Sequence, residues 1–183
     1  MQKTPDILEP KVPQEEKDLD TLLGEIELVV LEAEGVLTDG STVCGPDGAE
    51  SITTHRADAL GLANWLSLGG KAVVAAREEL KAVEAWCQAR GVTHRVHQGA
   101  KAPMMQMIIF EHQMEPRQVL YVGADLDDLP VMIIAGLAAA PSDAHNWVRE
   151  AAHVQLKNPG GRGALRELLD MLAEKRSPAE TNE

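Results

Sequence analysis

The sequence contains few aromatic residues and few cysteines, and it has no excess of basic residues. Aromatic side chains make up 3% of the 183 residues, so we expect an aliphatic core. Cys44 and Cys87 lie far apart and have the spacing of neither a metal site nor a redox pair, which favours buried or incidental thiols. With 17 Lys and Arg against 29 Asp and Glu, the net charge of −12 argues against nucleic acid and acidic membranes as partners.

Long apolar runs are also lacking. No stretch approaches the roughly 18 consecutive apolar residues of a membrane span. The polar residues 1–4 do not begin a signal peptide. We therefore expect a cytoplasmic protein without a membrane partner. The length and the hydrophobic content of 44% are sufficient for one domain with a sizeable core, and too small for two ordinary domains.

Stretches typical of strands and of helices alternate along the chain. The four aliphatic residues at 28–31 predict a strand that is buried on both faces. Further strands, separated by helical patterns, are predicted at residues 72–76, 93–97, 119–122, 137–140 and 153–156. This alternation predicts an α/β fold, a three-layer αβα arrangement with a doubly wound parallel sheet and right-handed crossovers.

The folded domain is expected to span residues 25–175. Residues 1–24 hold three prolines and a mixed charge run, and they are predicted to form a mobile acidic tail with a short helix at 19–23. Residues 176–183 are predicted to form a second flexible tail. Such tails either remain solvated or dock on a partner.

Residues 41–54 have the pattern of a β-hairpin inserted after the first strand, and no large cap domain is predicted. β-Branched residues flank a turn at residues 45–48, Gly-Pro-Asp-Gly. A hairpin that stands off the sheet leaves its edges bare unless something covers them. Contact with a neighbouring subunit and a flap over its own domain both fit this pattern.

Two carboxylates follow the first predicted strand. Glu32 and Glu34 come after the aliphatic run, and ligands of parallel α/β folds bind at the carboxyl ends of strands. Residues 32–40 resemble the first motif of the haloacid dehalogenase superfamily, Asp-x-Asp-Gly-x-x-Thr-Asp-Gly, and specifically its 3-deoxy-D-manno-octulosonate 8-phosphate phosphatase family. The resemblance covers about residues 27–172. It implies magnesium-dependent phosphatase chemistry and a homo-tetramer built through the hairpin.

The first motif departs from the family at both carboxylates. Glu32 stands at the nucleophile position and Glu34 at the acid/base position, where the family has aspartates. One added methylene moves a carboxylate by about 1.5 Å, and a misplacement of about 1 Å can cost on the order of a hundredfold in rate. Solvated glutamates, or glutamates that bind a cation unproductively, are the alternative. The match of Thr38 and Asp39 to the family's Thr-Asp-Gly implies phosphate or substrate binding.

The motifs that bind phosphate in the family are also altered. The second motif, Ala75-Ala76-Arg77, lacks the family's hydroxyl, and it leaves Arg77 to bind an anion or to pair with an acid such as Glu78 or Glu79. In the third motif Pro103 replaces the family's lysine, although proline in a first turn favours the helix. Lys101 is the remaining candidate phosphate ligand. It lies two residues early, about 200° around a helix, and this spacing argues against its taking the place of the lost lysine.

The fourth motif keeps two of its aspartates. Asp125 and Asp128 persist in Gly-Ala-Asp-Leu-Asp-Asp-Leu-Pro, whereas Ala124 stands where the family's direct magnesium ligand is expected. If Mg²⁺ binds at all, the candidate ligands are Glu32, Glu34, Asp125 and Asp128. Residues 160–163, Gly-Gly-Arg-Gly, closely repeat the family's tail and make Arg162 a candidate substrate contact.

Five chemical positions depart from the family pattern at once, and groups that act as a unit lose most of their activity with the first loss. We therefore expect a pseudophosphatase that works through assembly or through binding of a partner or ligand, such as an enzyme of a sugar-acid pathway. One alternative is a slow Mg-dependent sugar-acid phosphate phosphatase that uses Glu32 and Glu34. Another is a small-ligand or cation sensor. The histidines, including His94 and His97, are assigned surface or core roles.

Overall fold

A parallel sheet of six strands forms the middle layer of the computed structural model, which describes residues 18–176. The strands are β1 (Leu28–Glu32), β4 (Lys71–Ala76), β5 (Thr93–Val96), β6 (Val119–Val122), β7 (Leu137–Ala140) and β8 (Val154–Gln155). Their order is β5-β4-β1-β6-β7-β8, and all neighbours pair in parallel. Because β1 is central, Glu32 at its end lies in the middle of the sheet's carboxyl edge.

Helices cover both faces of the sheet. One layer holds α1 (Leu19–Glu25), α2 (Arg56–Ser67), α3 (Lys81–Gln88) and α7 (Ala164–Arg176). The other holds α4 (Lys101–Glu111), α5 (Leu129–Met132) and α6 (Asn146–Ala151). Successive residues of β1 point to opposite faces, so Val29 and Leu31 pack in the first layer, and Leu28 and Val30 in the second. The predicted three-layer fold with a doubly wound parallel sheet is confirmed.

The predicted hairpin follows β1 and stands apart from the main sheet. Strands β2 (Thr42–Cys44) and β3 (Glu50–Ile52) pair antiparallel, and Gly45 N donates to Ala49 O at 2.7 Å across the turn. Within residues 18–176 neither strand pairs with the six-stranded sheet, and Val43 is 69% exposed. The hairpin therefore presents strand edges and an apolar side chain to its surroundings.

The folded unit extends beyond the predicted boundaries at both ends. The short helix expected at residues 19–23 is present as α1, and its Leu23 is buried in the core beside α7. Helix α7 runs to Arg176, whose guanidinium donates to the carbonyl oxygens of Ile26 and Leu68. These contacts tie both ends to the domain. The tail predictions for residues 1–17 and 177–183 lie outside the described residues.

Two helices near the site are short. Helix α3 runs only from Lys81 to Gln88. After β6 the chain forms a 3-10 turn, Leu126–Asp128, and then the short α5, because the Asp125 side chain accepts a hydrogen bond from Leu126 N and starts the turn. Among residues 18–176, no helix combines the length and the apolar character needed to cross a membrane.

A buried carboxylate joins two helices of the first layer. Asp58 in α2 is fully buried, and its two oxygens accept hydrogen bonds from Arg166 N at 2.7 Å and from Gly163 N at 3.1 Å. These N–H groups lie at the start of α7, where a helix has donors without intrahelical partners. Asp58 thus caps α7 from another helix and anchors the Gly-Gly-Arg-Gly loop.

We expect Asp58→Ala to lower the free energy of unfolding by about 2 kcal/mol, because two backbone N–H groups lose their acceptor. Asp58→Asn keeps one acceptor and should lose less. Chemical denaturation measures both changes. The control is Asp170→Ala, which removes a half-exposed ion pair with Arg166 on the same helix and should cost less than about 0.5 kcal/mol. Equal losses for Asp58→Ala and Asp170→Ala would contradict the capping role.

Candidate functional site

The turn after β1 positions the first candidate residue. The chain turns sharply over Ala33–Leu37, and Gly35 adopts φ +79°, which glycine tolerates without strain. The Thr38 hydroxyl donates to Ala33 O at 3.1 Å and closes the turn. A Cβ at Gly160 would lie 1.9 Å from Gly35 O, so only glycine lets the last loop pack against this turn. The family-like Gly-Gly tail therefore holds the turn in place.

A cavity of about 340 Å³ opens at the carboxyl edge of the sheet beside the hairpin. Among the described residues that line it, seven are acidic: Glu32, Glu34, Glu50, Glu78, Asp125, Asp127 and Asp128. Two lining residues, Arg77 and Lys101, are basic. The sequence predicted four of the seven acidic residues, Glu32, Glu34, Asp125 and Asp128, because the carboxyl ends of neighbouring parallel strands meet at one edge. The cavity is strongly acidic.

Lys101 lies inside this site. Its Nζ is 2.8 Å from Glu32 Oε2, 2.5 Å from Asp128 Oδ1 and 3.2 Å from Asp127 Oδ1, and the residue is 5% exposed. The helical spacing that argued against Lys101 does not keep it from the site, because α4 begins at Lys101 and its four-carbon side chain spans the distance from the helix start. Helix α4 persists with Pro103 in its first turn, as predicted.

Asp128 is buried and fully hydrogen-bonded. One oxygen, Oδ1, accepts from Lys101 Nζ and lies 2.6 Å from the Tyr121 hydroxyl. The other, Oδ2, accepts from Ala124 N at 2.7 Å and from Asp125 N at 3.0 Å. A buried carboxylate needs such partners, since an unpaired one costs several kcal/mol. Asp128 is therefore committed to holding Lys101, Tyr121 and the turn after β6.

Glu32 shares these partners and resists ionisation. Glu32 is 3% exposed. Its Oε2 lies 3.1 Å from the Tyr121 hydroxyl and 2.8 Å from Lys101 Nζ. Burial raises the pKa of Glu32 to about 8, against the opposing effect of Lys101, and Asp128 and Glu34 raise it further. Burial disfavours the charge of Lys101, but the carboxylates of Glu32 and Asp128 outweigh burial and raise the Lys101 pKa.

Tyr121 and Asp127 are two residues of the site that the sequence analysis did not single out. Tyr121 is the sole tyrosine of the chain and is fully buried on β6. A buried tyrosine hydroxyl requires a polar partner, and that requirement is the signal that could have identified it. The Asp127 carboxylate accepts a hydrogen bond from the Arg77 guanidinium, so Arg77 pairs with Asp127 rather than with Glu78 or Glu79.

The remaining candidate residues are divided between the cavity and its surroundings. Glu34 lines the cavity, and its buried Oε2 has no hydrogen-bond partner among residues 18–176. Asp125 is exposed and caps the 3-10 turn. Thr38 is buried in the turn after β1, and Asp39 forms a 2.9 Å ion pair with Arg162. Thr38, Asp39 and Arg162 do not line the cavity, so the structure does not bring them to the carboxylates of Glu32 and Asp128.

Oxygens of two candidate metal ligands, Glu32 and Asp128, already have partners. Ala124 has no side-chain oxygen, both oxygens of Asp128 accept hydrogen bonds, and Glu32 is paired with Lys101. Within residues 18–176 no group of three or more His, Cys, Asp or Glu is arranged to hold a metal ion. The side chains as placed do not fit a magnesium site.

The chain is similar to phosphatases of known sequence and structure. No protein-family model matches it. The 3-deoxy-D-manno-octulosonate 8-phosphate phosphatase KdsC of Escherichia coli K12 is 35% identical over 152 residues, which cover 80% of this chain and 79% of that protein. A probable YrbI family phosphatase from Pseudomonas syringae superposes with a TM-score of 0.82 at 31% identity, over 88% of this chain and 92% of the other. The cobalt-bound deoxy-D-mannose-octulosonate 8-phosphate phosphatase from Haemophilus influenzae superposes with a TM-score of 0.81 at 25% identity, over 85% and 91%.

The fold and the acidic carboxyl edge of the sheet identify the superfamily. A three-layer sandwich with carboxylates after β1 and β6 is the architecture of haloacid dehalogenase-type hydrolases, and solved structures of that class superpose on it. Within this superfamily the chain belongs to the 3-deoxy-D-manno-octulosonate 8-phosphate phosphatase family, as its identity to KdsC over most of both chains shows. The resemblance inferred from the motifs is confirmed.

The pKa of Glu32 predicts a pH-dependent stability. Its ordinary value of 4.5 applies to the unfolded chain and about 8 to the folded protein, so the folded state binds more protons between these values. Stability from this group is therefore fully present below about pH 4.5 and is lost as the pH rises through about 8. Urea unfolding should show wild type losing stability relative to Glu32→Gln over this interval.

Glu111→Gln is the control for this titration, since Glu111 forms a half-exposed pair with Arg95. Its unfolding free energy should follow the wild-type pH profile. Parallel profiles for wild type and Glu32→Gln would show that Glu32 titrates normally and would contradict the prediction.

Proposed function

We propose that this family member is a pseudophosphatase, which has kept the scaffold and works through assembly or through binding of a partner or ligand. The observation that carries the proposal is the state of Glu32 at the nucleophile position. This carboxyl is buried, its Oε2 is engaged by Lys101 and Tyr121, and burial raises its pKa to about 8. A carboxylate nucleophile must be ionised and free to attack, so Glu32 is poorly suited to the reaction.

The phosphate-binding groups support the same proposal. Ala75 and Ala76 offer no hydroxyl at the second motif. Lys101 is engaged by three carboxylates and Arg77 by Asp127, so neither cation is free for a phosphate. The seven acidic residues of the cavity would repel a phosphate dianion. A phosphate group would therefore be held weakly in this cavity.

Magnesium binding is proposed to be weak or absent in this chain. The relative from Haemophilus influenzae has a cobalt-bound form, so a metal belongs to the family's chemistry. Here Ala124 takes the place of the expected ligand, and the oxygens of Asp128 are committed to hydrogen bonds. Without a metal to neutralise the phosphoryl group, in-line attack loses a major source of stabilisation.

Assembly through the hairpin is the proposed mode of action, with a homo-tetramer as the expected form. The hairpin edges pair with no other strand within residues 18–176, and such edges are covered by another chain in many proteins. An enzyme of a sugar-acid pathway is the proposed partner class, and the cytoplasm the proposed location. Loss of catalytic groups beside an intact scaffold favours association over turnover.

A slow phosphatase is the second candidate. It is favoured by one observation, the presence of a lysine inside the site next to Glu32 and Asp128. If the Lys101 contacts open when substrate binds, Lys101 or Arg77 would bind phosphate while Asp125 takes up the metal. A small-ligand or cation sensor that uses the acidic cavity is a third candidate.

Phosphate release separates the first two candidates. The substrates are 3-deoxy-D-manno-octulosonate 8-phosphate and a sialic-acid 9-phosphate, with Mg²⁺ present and Escherichia coli KdsC as the positive control. We expect wild type and Glu32→Ala to release phosphate at the same background rate, because Glu32 does not act as a nucleophile. Turnover by wild type that disappears in Glu32→Ala would establish an enzyme and defeat the proposal.

A further inference from the structure

A second cavity, of about 440 Å³, has a cationic lining. It lies where the chain enters α2 and leaves α3, and its described lining residues are Thr54, His55, Arg56, Ala59, Leu60 and Arg90. None of these is acidic, whereas seven acidic residues line the cavity at the carboxyl edge of the sheet. The volume falls in the range of small-molecule sites, about 300–1,000 Å³.

Two arginines of this cavity lack a carboxylate partner. The described residues include nine arginines, and six of them form ion pairs with carboxylates: Arg77, Arg95, Arg117, Arg162, Arg166 and Arg176. Arg56, Arg90 and Arg149 have no such partner within residues 18–176. In a chain with 29 acidic and 17 basic residues an arginine readily meets a carboxylate, so two unpaired guanidinium groups at one cavity indicate an anionic ligand.

The guanidinium of Arg90 is already held in position. It lies over the Trp86 ring, 4.2 Å from the ring centroid, and its Nη1 donates to Trp86 O at 3.0 Å. The remaining N–H groups of Arg90 have no hydrogen-bond partner among the residues that the structure describes. A guanidinium fixed in this way loses little freedom when it binds, and its planar fork matches the oxygens of a phosphate group.

The carboxylate beside the cavity is already compensated. His55 Nδ1 lies 4.0 Å from Asp58 Oδ2, the oxygen that accepts from Gly163 N. The other Asp58 oxygen accepts from Arg166 N, and the residue is fully buried. Because Asp58 caps α7, its charge does not neutralise the exposed cations of the cavity.

We propose that this cavity binds a small phosphate-bearing molecule, with Arg56 and Arg90 holding the phosphate group. His55 and Thr54 supply further hydrogen-bonding groups, and Leu60, which is 60% exposed, offers an apolar surface to the organic part of the ligand. The acidic cavity repels a phosphate dianion, whereas this one attracts it. The two cavities share no lining residue, so the inference goes beyond the proposed function and does not depend on it.

The test is titration calorimetry of the full chain with inorganic phosphate and with glucose 6-phosphate, at an ionic strength held constant with sodium chloride. Wild type should bind both, and it should bind glucose not at all and succinate, a dianion without a phosphate group, more weakly. Arg56→Gln and Arg90→Gln should each weaken phosphate binding roughly tenfold, because each removes charge-assisted hydrogen bonds. Arg90→Lys keeps the charge but loses the fork, so its affinity should lie between wild type and Arg90→Gln.

Arg149→Gln is the matched control, since Arg149 also lacks a carboxylate partner within residues 18–176 but does not line this cavity. It should bind phosphate as wild type does. Thermal unfolding without added anion should show that all four variants fold, because exposed substitutions change stability little.

Wild type that binds neither phosphate compound would overturn the inference, as would succinate binding as tight as phosphate binding or equal weakening in Arg149→Gln. Phosphate binding that is lost in Arg77→Gln but kept in Arg90→Gln would place the anion in the acidic cavity and would also overturn it. Phosphate release that requires Glu32, together with binding that requires Arg56 and Arg90, would defeat the proposed function and leave this inference standing.

Discussion

The contact of the Lys101 ammonium with the carboxylates of Glu32 and Asp128 is the interaction on which the rest of the site depends. Parallel strands bring the ends of β1 and β6 together, and their acidic residues would repel one another in a buried space. A cation between them offsets this repulsion. In this chain the cation is a lysine at the start of α4, which ties that helix to both strands.

The scaffold around this cluster is intact although the catalytic positions are altered. Asp58 caps α7, and Gly160 packs against the turn after β1, so the family-like tail keeps its structural role. The altered residues lie where the chemistry would occur, at Glu32, Ala75 and Ala124. Such a division agrees with the proposed loss of phosphatase activity. The hairpin, which projects from the domain, is the element through which we propose that the retained fold acts.

The fold and the acidic residues of the site could be predicted from the sequence, but the position of Lys101, which neutralises them, could not. Buried aliphatic runs separated by helical patterns specify the parallel sheet, and strand ends collect Glu32 and Asp128 at one edge. The position of Lys101 depends on where α4 begins and on the reach of a flexible side chain, and helical periodicity describes neither. Tyr121 was missed because the sequence shows that a buried tyrosine hydroxyl needs a polar partner, but it does not show which residues supply that partner.

A double-mutant cycle on Lys101 and Glu32 tests the central claim most directly. Unfolding free energies would be measured for wild type, Lys101→Met, Glu32→Gln and the double variant. If Lys101 neutralises Glu32 in the buried cluster, the double variant loses less stability than the two single losses combined, by roughly 1–3 kcal/mol. Losses that add within about 0.5 kcal/mol would show that the two side chains do not interact and would contradict the account.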